Sequence, residues 1–88
     1  MVKKKLMRLA DMEAIARVAT HDALKSCMPP SKEDENALVL GKLLTDEAGV
    51  FELYVPGPKP EDARIISRTT VNRVTGEVVS VEVFLPKL

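Results

Sequence analysis

The clearest structural signal in this 88-residue chain is the run Arg64-Ile-Ile-Ser-Arg-Thr-Thr-Val-Asn-Arg-Val-Thr-Gly-Glu-Val-Val-Ser-Val-Glu-Val-Phe-Leu85. Two runs rich in β-branched residues flank Thr75-Gly76, and Gly76 can supply the positive φ of a three-residue loop with a bulge. We therefore predict a β-hairpin whose loop is Val74, Thr75 and Gly76. The rest of the chain is expected to pack around this hairpin.

The predicted loop sets the register, because side chains in a strand alternate between two faces. One face is apolar, with the pairs Val71 and Val79, Thr69 and Val81, Ser67 and Val83, and Ile65 and Leu85. The other face is mostly polar, with the pairs Asn72 and Val78, Thr70 and Ser80, Arg68 and Glu82, and Ile66 and Phe84. We expect the apolar face to meet a helix and the polar face to be exposed.

Residues 11 to 28 change to helical periodicity and predict one amphipathic helix. Its apolar stripe is rich in alanine and consists of Met12, Ile15, Ala16, Ala19, Ala23 and Cys27. Asp11 is the predicted N-cap, although Leu6 and Leu9 could extend the stripe, and Pro29-Pro30 cannot continue the helix. A narrow stripe of this kind suits close packing across a sheet.

Residues 31 to 49 are compatible with two structures. In a helix, Ser31 and Asp34 would form a capping-box pattern and Gly49 would follow the last turn. In a hairpin, residues 37 to 45 would pair with residues 50 to 55 around Glu47-Ala48-Gly49, after a charged loop. We favour the hairpin, because Gly41 is unfavourable inside a helix.

The favoured hairpin has its own predicted register, in which Leu43 faces Leu53. Its apolar face would carry Val39, Leu43, Phe51, Leu53 and Val55. The other face would place Lys42 beside Tyr54.

These elements predict a single α+β domain over residues 1–88, with an N-terminal helix across an antiparallel meander of three to four strands. The alternative is two helices with a three-stranded sheet. Residues 1–5, which include Lys3, Lys4 and Lys5, are expected to be a frayed basic terminus. The proline-rich residues 56–60 are expected to form a stiff loop between strands.

The composition limits the compartments and the partners that are compatible with this chain. Lysine plus arginine equals aspartate plus glutamate at 13 each, so no global field attracts nucleic acid or an anionic membrane. Cys27 is the only cysteine, which excludes an intramolecular disulfide and indicates a reducing compartment. No apolar run approaches the ~20 residues of a membrane span. We expect a cytoplasmic protein without a membrane partner.

The residues that could support catalysis are few. His21 and Cys27 are six residues apart, and a helix turns about 600° over that interval, so we expect them on opposite sides. The carboxylates of Glu33, Asp34 and Glu35 are consecutive and point in different directions, which does not suit a metal ion. We therefore expect no enzymatic activity, no cofactor and no metal.

Recognition of another protein is the function class that these residues favour. The predicted exposed sheet face mixes apolar, aromatic and charged side chains, namely Tyr54, Ile66, Arg68, Glu82 and Phe84. The outermost strands would also have unpaired backbone groups that can add a strand from a partner or from a second copy. We expect a protein partner, with a homodimer as one form of it.

The run Val71-Asn72-Arg73-Val74-Thr75-Gly76-Glu77-Val78 resembles the hairpin of PepSY-type domains and of small cystatin-like or nuclear-transport-factor-like bacterial immunity proteins. Those families usually have Asp where this chain has Asn72. The resemblance implies a bacterial or phage α+β module that binds or inhibits a partner. It transfers no catalytic residue to this chain.

The alternative function is weak binding of nucleic acid through Lys3, Lys4, Lys5, Arg8 and Arg64. Two features oppose it: Glu82 is predicted to face Arg68, and aromatic residues are only 3% of the chain, too few to stack bases along a basic surface.

Overall fold

The computed structural model describes residues 6–87, and over this range two α-helices and four strands form an α+β fold. In chain order the elements are α1 (Leu9–Leu24), α2 (Lys32–Ala37), β1 (Val39–Leu44), β2 (Ala48–Val55), β3 (Arg64–Asn72) and β4 (Val78–Val83). The strands form an antiparallel meander in the order β1-β2-β3-β4. Helix α1 packs across one face of this sheet, as predicted, and α2 is an addition to the favoured prediction.

The core lies where α1 crosses the sheet. Met12 and Ala16 of α1 are buried against Phe51 of β2 and Val71 of β3. The helix is shorter than predicted, because Cys27 lies beyond its last turn and pairs with Lys87 in an isolated bridge.

The N-terminal boundary of α1 also differs from the prediction. The N-cap position is Arg8, and Asp11 lies in the first turn. An acidic side chain is favourable in the first turn as well as at the N-cap, so its presence alone does not distinguish the two positions.

The β3–β4 hairpin confirms the predicted pairing in its central part. The confirmed pairs are Ser67 with Val83, Arg68 with Glu82, Thr69 with Val81, and Thr70 with Ser80. Gly76 has a φ of 78°, as the predicted loop requires. The Asn72 side chain accepts hydrogen bonds from the backbone N–H groups of Val74 and Thr75, at 2.8 and 3.0 Å, and this closes the turn locally.

A β-bulge near the loop changes the predicted pairing of Val71. Val71 pairs with Val78, and Val79 is the extra residue of the bulge. Val79 is 63% exposed, whereas Val78 is 39% exposed and lies beside Ile15 of α1. The predicted pairs Val71–Val79 and Asn72–Val78 are therefore wrong. The loop is also one residue longer than predicted, because the Asn72 N–H donates to the Glu77 carbonyl at 2.7 Å.

A second bulge lies between β2 and β3. Leu53 pairs with Ser67 and Tyr54 pairs with Ile65, which leaves Ile66 as the extra residue. Ile66 is 4% exposed and Ile65 is 38% exposed. The predictions that Ile66 belongs to the exposed sheet face and Ile65 to the apolar face are both wrong, because the bulge interrupts the alternation on which they depend.

The β1–β2 hairpin exists, but its register differs from the prediction. Leu53 faces Leu40 rather than Leu43, a shift of three residues. The loop begins at Thr45, whose backbone N–H donates to the Ala48 carbonyl at 2.8 Å and whose hydroxyl accepts from the Ala48 N–H at 3.0 Å. Gly49 lies inside β2, close to Met12, and is not part of the loop.

An odd shift of register exchanges the two faces of β1. Leu40 and Lys42 therefore lie on the α1 side of the sheet, and Lys42 faces Phe51 rather than Tyr54. Val39 and Leu43, both expected on the apolar face, are 39% and 61% exposed on the other side. The capping predicted for the alternative helix is present in α2, where the Ser31 hydroxyl accepts from the Asp34 N–H. That helix ends at Ala37, since Leu38 leaves the helical conformation with a ψ of 134°, and β1 begins at Val39.

Candidate functional site

The sheet face opposite α1 is the first candidate surface, and we call it the outer face. The main contacts of α1 are with the other face, over β2, β3 and β4. Exposed apolar side chains surround a polar centre on the outer face, and they are Val39, Leu43, Ile65 and Phe84. A mixed surface of this kind is typical of protein interfaces.

An ion pair occupies the centre of the outer face. Arg68 Nε and Nη2 donate to Glu52 Oε2 at 3.0 and 2.8 Å. Glu82 is the register neighbour of Arg68 on the other side, in β4. The Arg68 guanidinium thus lies between two acidic residues. The sequence predicted Glu82 as its neighbour but not Glu52.

Tyr54 also belongs to the outer face. A Cβ atom at Gly41 would be 3.3 Å from Tyr54 Cε1, so the ring covers the position where β1 has no side chain. The structure thus places Tyr54, Arg68, Glu82 and Phe84 on the outer face. The remaining predicted site residue, Ile66, is buried on the α1 side beside Leu24 and Leu53.

A groove between α1 and β1 is the second candidate surface, and we call it the α1–β1 groove. It has a volume of about 500 Å³. Its apolar walls are formed by Ala16, Leu24, Leu40, Phe51 and Leu53. The sequence analysis did not predict this groove, because the predicted register of β1 placed Leu40 on the face opposite α1.

One hydroxyl pair and one unpaired hydroxyl lie under α1 near this groove. Thr20 Oγ1 and Thr69 Oγ1 are 2.6 Å apart, which satisfies both groups. Ser67 Oγ is buried and has no hydrogen-bond partner among the described residues. The sequence did contain a sign of these buried hydroxyls. Ser67 and Thr69 are polar residues on the predicted apolar face of the hairpin.

Charged side chains line the edge of the α1–β1 groove. The Glu13 carboxylate forms ion pairs with Lys42 of β1 and with Arg17 of α1, the second at 3.2 Å. The hydrogen bond from Lys42, and secondarily that from Arg17, holds the pKa of the Glu13 carboxyl below its usual value, although desolvation acts in the opposite direction.

Replacing Lys42 by glutamine is expected to raise the pKa of Glu13, because the larger stabilising partner of the carboxylate is lost. The native ion pair contributes stability above the unfolded-state pKa and loses it as the pH falls through the folded-state pKa. Lys42→Gln should therefore reduce the acid sensitivity of folding. An NMR titration of the Glu13 carboxyl carbon measures the pKa, and an unchanged midpoint would contradict this assignment.

The described residues of the nucleic-acid alternative are paired with acids. Arg8 lies 3.5 Å from the Asp11 carboxylate, and Arg64 forms an ion pair with Asp34. Lys3, Lys4 and Lys5 lie outside the described residues.

His21 and Cys27 line one cleft at the end of α1, and not opposite sides of a helix as predicted. The prediction is wrong because Cys27 follows the helix, and its thiol donates to the Ala23 carbonyl at 3.7 Å. Within residues 6–87, no cluster of three or more His, Cys, Asp or Glu residues could hold a metal ion. Neither helix of this range has the length and apolar character needed to cross a membrane.

The structure defines a two-layer α+β domain with α1 on one sheet face and a mixed outer face on the other. Comparisons with protein-family models, curated proteins and solved structures found no match for this chain. The resemblance of residues 71–78 to PepSY-type and immunity-type hairpins remains a prediction.

Proposed function

We propose that this protein is a non-enzymatic protein-binding module, of the inhibitor or immunity type, whose outer face contacts the partner. The observation that carries the proposal is the side-chain set of the outer face. Tyr54, Arg68 and Phe84 are of residue types enriched at interfaces, and they lie on one sheet face away from α1.

The arrangement of the outer face supports specificity as well as affinity. Exposed apolar side chains gain free energy when a partner removes them from water. The Glu52–Arg68–Glu82 row crosses three neighbouring strands and offers a partner one cation between two anions. Such a row favours a partner of complementary charge pattern and opposes others.

The proposal is tested with the double variant Tyr54→Ser and Phe84→Ser. We expect its affinity for the partner to fall by about 30-fold or more, the effect of losing a hot spot worth ~2 kcal/mol. The matched control is Val74→Ser, because Val74 is 39% exposed in the β3–β4 loop and lies at neither candidate surface. Candidate partners are the products of neighbouring genes, each purified and titrated by calorimetry.

Retained affinity in the double variant, with the native circular dichroism spectrum, would contradict the outer face as the contact surface. A salt titration separates this function from the nucleic-acid alternative. Binding to phosphates weakens steeply as ionic strength rises, whereas burial of Tyr54 and Phe84 does not.

A further inference from the structure

The backbone of β1 has a free edge whose hydrogen-bonding groups can be assigned. Thr45 and Ala48 form a hydrogen-bonded pair, and such pairs alternate along an antiparallel ladder. The backbone groups of Val39, Gly41 and Leu43 therefore point toward β2. Those of Leu40, Lys42 and Leu44 point outward, and the described residues contain no strand beyond β1.

The residues with outward backbone groups also lie at the α1–β1 groove. Leu40 forms part of the groove, and Lys42 reaches Glu13 on α1. The main contacts of α1 are with β2, β3 and β4, so the helix leaves the β1 side of this face open. A strand added at β1 would thus place alternate side chains beside the groove.

The two edges of the sheet differ in their protection. Strand β4 has a bulge at Val79 and carries Glu82, and both features oppose further pairing. Strand β1 has neither a proline nor a bulge, and its single charged residue, Lys42, is turned toward Glu13. The edge at β1 is the one that suits strand addition.

The charges at the groove indicate the chemistry of the added strand. Two cations, Lys42 and Arg17, share the single carboxylate of Glu13. An acidic side chain opposite Lys42 would add a second anion to this cluster. A second copy of the chain, paired through β1 with Lys42 at its centre, would bring two lysines together, and opposed like charges destabilise a strand pair.

We propose that β1 adds an extended segment of another protein with the pattern apolar-x-acidic-x-apolar. In an antiparallel pairing, the acidic residue lies opposite Lys42 and the apolar residues lie opposite Leu40 and Leu44, all on the α1 side of the sheet. This inference rests on the proposed protein-binding function but uses a surface separate from the outer face. An experiment can therefore contradict binding at the outer face without contradicting binding at the β1 edge, and the reverse.

The experiment uses a blocked synthetic peptide, Thr-Val-Thr-Glu-Thr-Val-Thr, titrated into the ¹⁵N-labelled protein. Bound peptide is expected to slow hydrogen exchange of the Leu40, Lys42 and Leu44 amides by about 10-fold or more, because these N–H groups gain acceptors. The amides of Gly41 and Leu43 are the internal control, since they already bond to β2.

Two matched peptides test the pattern. Replacing the central glutamate by lysine is expected to weaken binding about 10-fold, and Lys42→Glu in the protein should restore affinity for that lysine peptide. N-methylation of the amides that face β1 should abolish binding, because it removes the donors of the ladder. The outer-face variant Tyr54→Ser should bind the peptide as the native protein does.

Three results would overturn the inference. The first is no exchange protection at about 1 mM peptide, a concentration that would detect even millimolar affinity. The second is equal affinity for the glutamate and lysine peptides. The third is slow exchange of the Leu40, Lys42 and Leu44 amides without peptide, if the protection increases with protein concentration. That result would show that a second copy of the chain pairs with the β1 edge.

Discussion

Replacing Ile66 by alanine is expected to lower the free energy of unfolding by about 2 to 5 kcal/mol, the usual cost of truncating a buried isoleucine. The bulge between β2 and β3 turns this side chain into the domain, where it lies beside Leu24, Cys27 and Leu53. Urea denaturation monitored by circular dichroism measures the loss as a change of midpoint at constant slope.

The adjacent residue gives a matched control. Ile65→Ala removes the same atoms from the neighbouring position, but Ile65 is 38% exposed and lies on the outer face beside Tyr54. We expect this variant to lose less than about 1 kcal/mol. Equal losses for the two variants, or the larger loss for Ile65→Ala, would show that the bulge does not direct the two side chains as described.

The position of Ile66 affects how binding experiments are interpreted. Without the bulge, Ile66 would share the outer face with Phe84, and weaker binding by Ile66→Ala would indicate a lost contact with the partner. With the bulge, Ile66→Ala reduces partner binding only by unfolding the domain. Variants at Tyr54 and Phe84 are therefore the informative ones for the outer face.

Replacing Met12 by alanine is expected to cost about 2 to 5 kcal/mol as well, because Met12 is fully buried at the centre of the core. Its sulfur atom would lie 3.2 Å from a Cβ atom at Gly49, so the side chain fills the space that the glycine leaves. A chain of this length has a total stability of roughly 4 to 13 kcal/mol, of which this loss is a large fraction.

The control for Met12→Ala is Val18→Ala on the same helix. Val18 is exposed, and its replacement should change the unfolding free energy by less than about 0.5 kcal/mol. Thermal and urea unfolding of both variants test the expectation. A stability of Met12→Ala within error of that of Val18→Ala would contradict the placement of Met12 in the core.

The parts of the fold that follow from local rules could be predicted from the sequence. The central register of β3 and β4 was correct even though the loop is one residue longer than predicted, because the extra residue Val79 in β4 compensates for the longer loop. The helix was correct in its buried stripe, since Met12 and Ala16 follow the helical period. Its ends were less accurate, because several residues near each end are compatible with a cap or a stop.

The candidate surfaces were predicted only in part. Tyr54, Arg68, Glu82 and Phe84 lie on one face as expected, because the strand alternation there is regular. The α1–β1 groove was missed, since its wall includes Leu40 and the predicted hairpin loop was displaced. The sequence favoured Glu47-Ala48-Gly49 as the loop, whereas side-chain hydrogen bonding by Thr45 places the turn earlier.

The α+β class, the hairpin around Gly76 and most of the helix could be read from the sequence alone, because they depend on periodicity and turn chemistry between near neighbours. The tertiary structure decided which face of β1 meets α1 and whether Ile65 or Ile66 enters the core. The first choice depends on the position of the β1–β2 loop, and the second depends on the bulge at Ile66. Each of these two features shifts the strand pairing by an odd number of residues, which exchanges the two faces of the strand on one side of it.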